Sequence, residues 1–273
     1  MKKKMFCILT VLLAVFLVIS AVPEGSAQIQ DEENKDLKDE DKEVSPTQEE
    51  TAEIPTLSIG DSWTYHQDLW SNKSGDEFVH TVEQITYTVS AIETYEYKGN
   101  SYYGYNLTLD GEVLDGEGSD GTVDFQINSG QVTGYLFLRM SDLGTVVDYQ
   151  WRKMDGEAMG VEMTTWQETH VHENPVVETH DYPIRLGGNF YANTTKDSES
   201  YVKVVVGGQE MQNETTEENN TLYQETTVSS SIEQVSPPAG TFDTFELNRT
   251  ISGDNEGYVQ KNYAAAVKNT VKS

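Results

Sequence analysis

Three of the five histidines in this chain lie close together in the sequence and are the strongest candidates for metal chemistry. His170 and His172 are two positions apart, a spacing that directs both rings to the same face of a β-strand. His180 follows a turn expected at Asn174-Pro175 and could return to the same place. Imidazole nitrogens so arranged suit zinc, and His170, His172 and His180 therefore predict a metal site of a metal-dependent hydrolase. The alternative, which we favour, is a pair of polar strands whose histidines face solvent.

Acidic residues and glycines are interspersed from Asp110 to Asp124 and indicate a second kind of metal site. The carboxylates are Asp110, Glu112, Asp115, Glu117, Asp120 and Asp124. Oxygen ligands on a flexible loop are what Ca²⁺ requires, and divalent cations are therefore candidate partners. The spacing matches no defined calcium loop, however, and a succession of Asp-Gly turns explains the same residues.

Other catalytic signatures are missing from the sequence. It has no Gly-x-Ser-x-Gly motif, no glycine loop for phosphate and no dinucleotide-binding motif. The single cysteine, Cys7, lies in the apolar N-terminal segment, so thiolate catalysis and cysteine metal sites are excluded from the rest of the chain. We therefore predict no cofactor and no assignable catalytic residue, and a non-catalytic protein is favoured over an enzyme.

The N-terminus has the three-part organisation of a secretory signal peptide. Basic residues at Lys2–Lys4 precede an apolar stretch from Cys7 to Val22 and the small residues Gly25-Ser26-Ala27. We predict a signal peptide at 1–27, and therefore an extracellular or cell-surface location. The alternative is an uncleaved N-terminal membrane anchor, because the apolar stretch is only slightly short of the roughly 20 residues that span a membrane.

Composition divides the remaining chain into a linker and one domain. Residues 28–55 are acidic and poor in aromatic residues, which predicts a disordered linker, since such a stretch cannot bury enough apolar surface to fold. Residues 56–273 are long enough for a single β-rich extracellular domain. The whole chain has 46 acidic and 18 basic residues, a net charge of −28. That charge excludes nucleic acid as a partner and favours solubility in a salty medium, where ions screen self-repulsion.

The domain sequence alternates between apolar and polar residues, which is typical of half-buried antiparallel strands. Clear examples begin at Ile85, Tyr103, Val123 and Val147. In the last of these, Val147, Tyr149 and Trp151 alternate with Asp148 and Gln150. Dipeptides that suit hairpin turns occur at Asp110-Gly111, Asp115-Gly116, Asp120-Gly121, Asp155-Gly156 and Gly207-Gly208. We predict an all-β, mainly antiparallel fold, with one large curled or partly closed sheet, one wet face, one dry face, and few or no helices.

Four short blocks carry a family resemblance. They are a Gly-Asp-x-Trp-x-Tyr strand at Gly60–Tyr65, a Pro-hydrophobic-x-hydrophobic-Gly turn at Pro183–Phe190, a Pro-Ala-Gly-Thr-Phe block at Pro238–Phe245, and a final strand at Tyr263–Lys272. In order and spacing they resemble a largely uncharacterised family of secreted or surface β-domains, which is distantly similar to the curved-sheet lipoprotein-carrier fold. The last block departs from the family pattern, because Lys268-Asn269 stands where the family usually has a nearby glycine.

The resemblance implies a concave sheet that holds an acyl chain or another apolar, lipid-like ligand. On that interpretation Trp63, Tyr65, Phe242 and Phe245 line the groove. The alternative, favoured for the Pro-Ala-Gly-Thr-Phe block, is that these aromatic residues are core packing.

Six Asn-x-Ser/Thr sequons are candidate glycosylation sites: Asn72, Asn106, Asn193, Asn213, Asn219 and Asn248. They agree with an exported protein. The sequence thus predicts a non-catalytic binding module for an apolar or lipid-like ligand. The alternatives are a structural or adhesive glycoprotein module of the cell envelope, with envelope components as partners, and the metal-dependent hydrolase.

Overall fold

The computed structural model describes residues 26–29, 51–72, 77–178, 180–254 and 256–272, and these are almost entirely β-strand. The strands are β1 (Ser26–Ile29), β2 (Thr51–Ala52), β3 (Ser62–Asn72), β4 (Glu77–Tyr97), β5 (Asn100–Asp120), β6 (Asp124–Arg139), β7 (Thr145–Ala158), β8 (Val161–Asn174), β9 (Ile184–Arg185), β10 (Asn189–Val206), β11 (Gln209–Val228), β12 (Glu233–Val235), β13 (Phe242–Gly253), β14 (Gly257–Ala264) and β15 (Asn269–Lys272). In the described residues the helical structure is one 3₁₀ turn, Ala265–Val267. The predicted all-β fold is confirmed.

Thirteen of these strands form one antiparallel sheet in the order β11-β10-β8-β7-β6-β5-β4-β3-β1-β15-β14-β13-β12. The sheet curls strongly, because β11 pairs with β13 as well as with β10, while β1 lies between β3 and β15. The two short strands β2 and β9 pair separately. The predicted large, curled sheet is therefore the fold. Among the described residues, no helix has the length and apolar character needed to cross a membrane.

The largest apolar cluster fills the inside of the curl at one end of the long strands. It is formed by Val79, Ile85, Leu109, Val113, Val123, Phe125, Ile127, Val132, Met154, Ala158, Met163, Val202 and Val204. On β7 the inward residues pass from Gln150 and Arg152, which line an internal cavity, to Met154 and Ala158 of the cluster. The cluster therefore lies next to the cavity along this strand and is close-packed as protein interiors are.

Two of the five predicted turn dipeptides are turns, and three are not. Asp120-Gly121 and Gly207-Gly208 connect strands of hairpins, and these glycines have positive φ angles. Asp110-Gly111 and Asp115-Gly116 lie within β5, and Asp155-Gly156 lies within β7. The close approach of β4 explains the glycine at position 111, since a Cβ on Gly111 would collide with the carbonyl oxygen of Gln84 on that strand.

Parts of the predicted signal peptide and linker take part in strand pairing, since Ser26–Ile29 form β1 between β3 and β15. Thr51 and Ala52 pair with β9, and Ala52 is 1% exposed in a cluster with Ile184 and Tyr263. Residues 1–25 of the predicted signal peptide and residues 30–50 of the predicted linker lie outside the described residues.

Candidate functional site

A cavity of about 340 Å³ lies inside the curled sheet, within the usual size range of ligand pockets. One part of its wall is apolar and comes from the neighbouring strands β3, β4, β5 and β6 and from connecting segments. The aliphatic residues of this part are Leu57, Leu69, Ile85, Leu107, Leu136, Leu138, Leu143 and Val177. Leu57, Leu107 and Leu143 also belong to one buried cluster with Val89 and Tyr105. This part of the wall offers an apolar ligand a surface that water solvates poorly.

The other part of the wall is polar, and much of it comes from β7. Asp148, Gln150 and Arg152 line the cavity, so the alternate residues Tyr149 and Trp151 lie on the opposite, outer face. This corrects the expectation that the aromatic residues of this strand face the dry interior. Gln150 donates to both carboxylate oxygens of Asp148, each at 3.2 Å, and burial raises the pKa of that carboxyl.

A buried ion pair crosses the interior beside the cavity. Arg152 Nε and Nη2 each lie 3.3 Å from a carboxylate oxygen of Glu83 on β4. Glu83 is 2% exposed and Arg152 is 9% exposed. Burial acts to lower the pKa of the guanidinium, but the charge of Glu83 more than offsets this, and the pKa of Arg152 is raised. Arg152 therefore stays charged, and its two contacts with Glu83 fix the guanidinium in the wall of the cavity.

The cavity wall carries charges of both signs, and three of its cations are paired with carboxylates: Arg152 with Glu83, Lys196 with Glu173 and Lys268 with Asp61. Its basic residues are Arg152, Lys196, Arg249, Lys261 and Lys268, and its acidic residues are Asp148, Glu173 and Glu178. Arg249 on β13 and Lys261 on β14 lie on neighbouring strands, with Lys261 opposite Leu247, two positions from Arg249. Arg249 Nε donates to Thr226 Oγ1 at 3.2 Å.

Several buried polar atoms of β8 have no hydrogen-bond partner among the described residues. They are Oγ1 of Thr165, both amide atoms of Gln167, and Oγ1 of Thr169. Thr169 lines the cavity, and Gln167 lies opposite Arg152 in the β7–β8 ladder. Buried groups of this kind are costly unless something bonds to them.

The structure brings two of the four predicted ligand-binding aromatic residues to the cavity. Trp63 and Tyr65 line it, and Trp63 Nε1 donates to the carbonyl of Val267 at 2.9 Å. Phe245 is 2% exposed in a cluster with Val228, Leu247 and Tyr263, and Phe242 packs against the cluster of Tyr65, Ala264 and Val271. Neither phenylalanine is among the cavity-lining residues, so both belong to the core, as the alternative interpretation expected.

The three histidines are not brought together. His170 and His172 share one face of β8, as predicted, with ring centroids 4.6 Å apart. That face is the outer one, because the alternate residue Thr169 lines the cavity. His180 is buried on the cavity side against Tyr182 and Tyr263. In the described part of the chain, no three His, Cys, Asp or Glu side chains are grouped to hold a metal ion.

The outer face around His172 is covered by the tip of the β4–β5 hairpin, residues 95–102, which we call the hairpin tip. The tip extends beyond β6, whose pairing with β5 starts at Gly104. Tyr95 OH lies 2.8 Å from His172 Nε2, and Tyr97 stacks on the same ring at 3.8 Å. Tyr97 also donates to Asp197 on β10. Burial and the neighbouring His170 lower the pKa of His172 to about 4, so the imidazole is neutral in this contact.

The acidic stretch from Asp110 to Asp124 is not a loop. Asp110, Glu112, Asp115 and Glu117 are exposed side chains along the extended strand β5, and Asp124 is exposed at the start of β6. Alternate residues of a strand lie about 6.6 Å apart, too far for neighbouring carboxylates to converge on one ion without a bend. The predicted calcium loop is therefore not formed.

The candidate glycosylation sites differ in exposure. Asn193, Asn213 and Asn219 are exposed, whereas Asn106 and Asn248 are half-buried. Asn106 Nδ2 donates to Glu93 at 2.7 Å, and Oδ1 of Asn106 is buried. The side chain of Asn72 lies outside the described part of the chain.

Sequence reasoning missed the polar side of the cavity. On β13 a signal was available, because Arg249 continues the buried phase of Phe245 and Leu247. On β7 no such signal was available, because the alternation of apolar and polar residues assigns Val147, Tyr149 and Trp151 to the interior.

Comparison with known proteins finds no matching family model, no matching curated protein and no matching solved structure.

Proposed function

We propose that this chain is a non-catalytic binding module that holds an apolar or lipid-like ligand inside its curled sheet. The observation that carries the proposal is the internal cavity of about 340 Å³, whose wall combines leucines with a smaller polar part. In ligand pockets apolar surface of this kind supplies affinity, and the polar groups beside it fix orientation. The predicted signal peptide at 1–27 supports a place of action outside the cytoplasm.

Direct binding of an uncharged apolar probe tests the proposal. N-phenylnaphthylamine fluoresces strongly only out of water, so the protein stripped of lipid by solvent extraction should raise its fluorescence and saturate. Trp63 lies in the wall of the cavity, and its emission should be quenched in parallel by energy transfer to the probe. Trp63→Phe should reduce that quenching, to which the other three tryptophans also contribute, and leave probe binding in place.

A cavity-filling variant locates the site. Leu138→Trp places a larger side chain in the cavity and should abolish probe binding, whereas Leu114→Trp makes the same change on an exposed residue of β5 and should not. Circular dichroism and thermal unfolding would establish that both variants fold. Equal binding by the two folded variants would refute the location.

Native mass spectrometry of protein purified under mild conditions gives an independent test. The expected result is a population heavier than the polypeptide by the mass of a small amphiphile, which disappears from Leu138→Trp. A protein that is always free of ligand, and that also binds no probe after extraction, would refute the proposed function.

A further inference from the structure

We infer that Asn193 carries an N-linked glycan whose first sugar packs against the exposed rings of Tyr191 and Tyr223. This inference goes beyond the proposed function, because it concerns the outer face of the sheet and not the cavity. It assigns a modification site and gives a role to two aromatic side chains that lie outside the core.

The two tyrosines present a large apolar surface to solvent. Tyr191 on β10 is 71% exposed, and Tyr223 on β11 is 51% exposed. Neither ring belongs to an apolar cluster of the described residues. Exposed aromatic surface is unfavourable in water, so a group that covers these rings stabilises the folded protein.

Asn193 lies beside both rings. It follows Tyr191 by two positions on β10, so the two side chains share one face of the strand about 6.6 Å apart. It is directly opposite Tyr223 in the β10–β11 ladder, where the Cβ atoms of paired residues lie about 4.5–5.5 Å apart. The face is the outer one, because the alternate residues Thr194 and Leu222 are 2% and 4% exposed. A sugar attached to Asn193 therefore meets one ring along the strand and one ring across it.

A sugar ring suits this surface because it has an apolar face and a polar rim. The C–H groups of a pyranose face carry a slight positive charge, and the π-face of an aromatic ring attracts them. The ring of Tyr191 is already held in place for this contact. Its hydroxyl donates to Glu225 Oε1 at 2.9 Å, and Asn189 Nδ2 donates to the hydroxyl oxygen at 3.2 Å. A ring fixed in advance loses little conformational entropy when the sugar packs on it.

Exposed aromatic side chains lie mainly beside sequons in this protein. Five tryptophan or tyrosine side chains are exposed in the described part of the chain: Trp70, Tyr103, Tyr191, Tyr223 and Tyr258. Tyr258 donates to Oδ1 of Asn248, and Trp70 precedes Asn72 by two positions on β3. With the two tyrosines beside Asn193, four of the five adjoin a sequon. Asn193 is the one with a ring on two sides and an exposed asparagine side chain, and it is therefore the site to test.

The test uses the full chain secreted from yeast in ¹³C-labelled medium and treated with endoglycosidase H, which leaves one N-acetylglucosamine on each occupied asparagine. The acetyl methyl NMR signal of the sugar at Asn193 is the one that disappears from Asn193→Gln. We expect this signal to lie upfield of that of free N-acetylglucosamine, because the ring current of a tyrosine shields groups above its face. It should return to the free value in the double variant Tyr191→Ser/Tyr223→Ser, whose changes are confined to exposed side chains.

Asn219 provides the matched control. It is an exposed sequon asparagine on the outer face of β11, opposite Asp197, and its neighbours two positions away are Glu217 and Thr221. Since none of these is aromatic, the acetyl signal that disappears from Asn219→Gln should have the free value in every variant.

Thermal unfolding measures the stabilisation. Asn193→Gln should lower the midpoint by about 2–4 °C when both tyrosines are present, and by clearly less in Tyr191→Ser/Tyr223→Ser. Glycopeptide mass spectrometry that finds Asn193 unmodified would overturn the modification site. A modified Asn193 whose acetyl signal has the free value, with the same change in midpoint whether or not the tyrosines are present, would overturn their role.

Discussion

The buried ion pair of Glu83 and Arg152 offers a sharp test of the polar interior. The two side chains meet through two contacts of 3.3 Å, between β4 and β7, in the wall beside the cavity. Glu83→Gln leaves the guanidinium buried without its main counter-charge, and Arg152→Met does the same to the carboxylate. Breaking a buried pair in this way destabilises a protein by about 3–5 kcal/mol, because an uncompensated charge stays in the interior.

The two variants should not be equal. Asp148 is near enough to Arg152 to affect its pKa, so Arg152 retains one anionic neighbour after Glu83→Gln. Arg152→Met instead leaves Glu83 and Asp148 with no cation between them, and their charges repel. We therefore expect a loss of about 3 kcal/mol for Glu83→Gln and about 5 kcal/mol for Arg152→Met. The double variant should lose about 2 kcal/mol less stability than the sum of the losses of the two single variants.

Urea unfolding at pH 7 measures these differences, and pH adds a second signature. Burial raises the pKa of Asp148, so its charged form is the one that folding disfavours. In Arg152→Met, stability should therefore rise as the pH falls from 7, because protonation removes the buried charge. The control is Lys153→Met, which removes an exposed ion pair with Asp155 on the same strand and should cost about 0–1 kcal/mol.

Two results would refute this reasoning. If Glu83→Gln costs no more than Lys153→Met, the pair is solvated and the interior of the sheet is open to water at this position. If the losses simply add in the double variant, the two residues do not interact.

Three further predictions concern other parts of the molecule. The pKa of His172 is lowered from 6.5 to about 4 in the folded protein. The stability that the neutral imidazole contributes should therefore be fully present above about pH 6.5 and be lost as the pH falls from about 6.5 to 4. Urea unfolding should show a smaller loss over this range for His172→Phe. Lys268 has a φ angle of 59°, a conformation that strains every residue except glycine. Lys268→Gly and Lys268→Ala both lose the hydrogen bond to the carbonyl of Thr56, so the comparison isolates the backbone strain. We expect the glycine variant to be more stable than the alanine variant by about 1 kcal/mol in urea unfolding. After expression in a glycosylating host, glycopeptide mass spectrometry should find Asn193 occupied ahead of Asn106, whose side chain is bonded to Glu93.

The fold was largely predictable, because its strands are long and their alternation is regular. Ile85 and Val89 on β4, and Leu107 and Leu109 on β5, are buried as their phase predicts. Propensity and period act along the chain, and they are strongest when a strand continues for many residues.

The aromatic residues predicted to line a groove show where a motif stops being informative. Trp63 and Phe245 are both aromatic residues of strands, and both were candidates for the ligand site. One lines the cavity and the other is in the core. Whether an aromatic side chain lines the cavity or packs in the core depends on how far the sheet curls. The curl is set by pairings between strands that are distant in sequence, such as β11 with β13.

The position of Lys268 shows a similar limit. The sequence shows Lys268-Asn269 where the resemblance led us to expect a nearby glycine, but the structural meaning of that difference was not visible. Lys268 adopts the left-handed conformation that glycine would accept more easily, and its amine donates to the carbonyl of Thr56. Contact with a segment so distant in the chain cannot be derived from local spacing.

The reversed orientation of β7 and the hairpin tip have a common explanation. A strand with Val147, Tyr149 and Trp151 on one face would normally turn that face inward, since exposed aromatic surface is unfavourable. Here the hairpin tip supplies a second apolar layer outside the sheet, where Tyr95 and Tyr102 pack with Phe137 and Val147. Of the outward residues of β7, this layer covers Val147, while Tyr149 packs against Tyr135 and His170 on the same outer face. The inward phase is left to polar residues, and these form the side of the cavity opposite the leucines. The mixed polar and apolar wall of the cavity thus goes together with an apolar layer on the outside of the sheet.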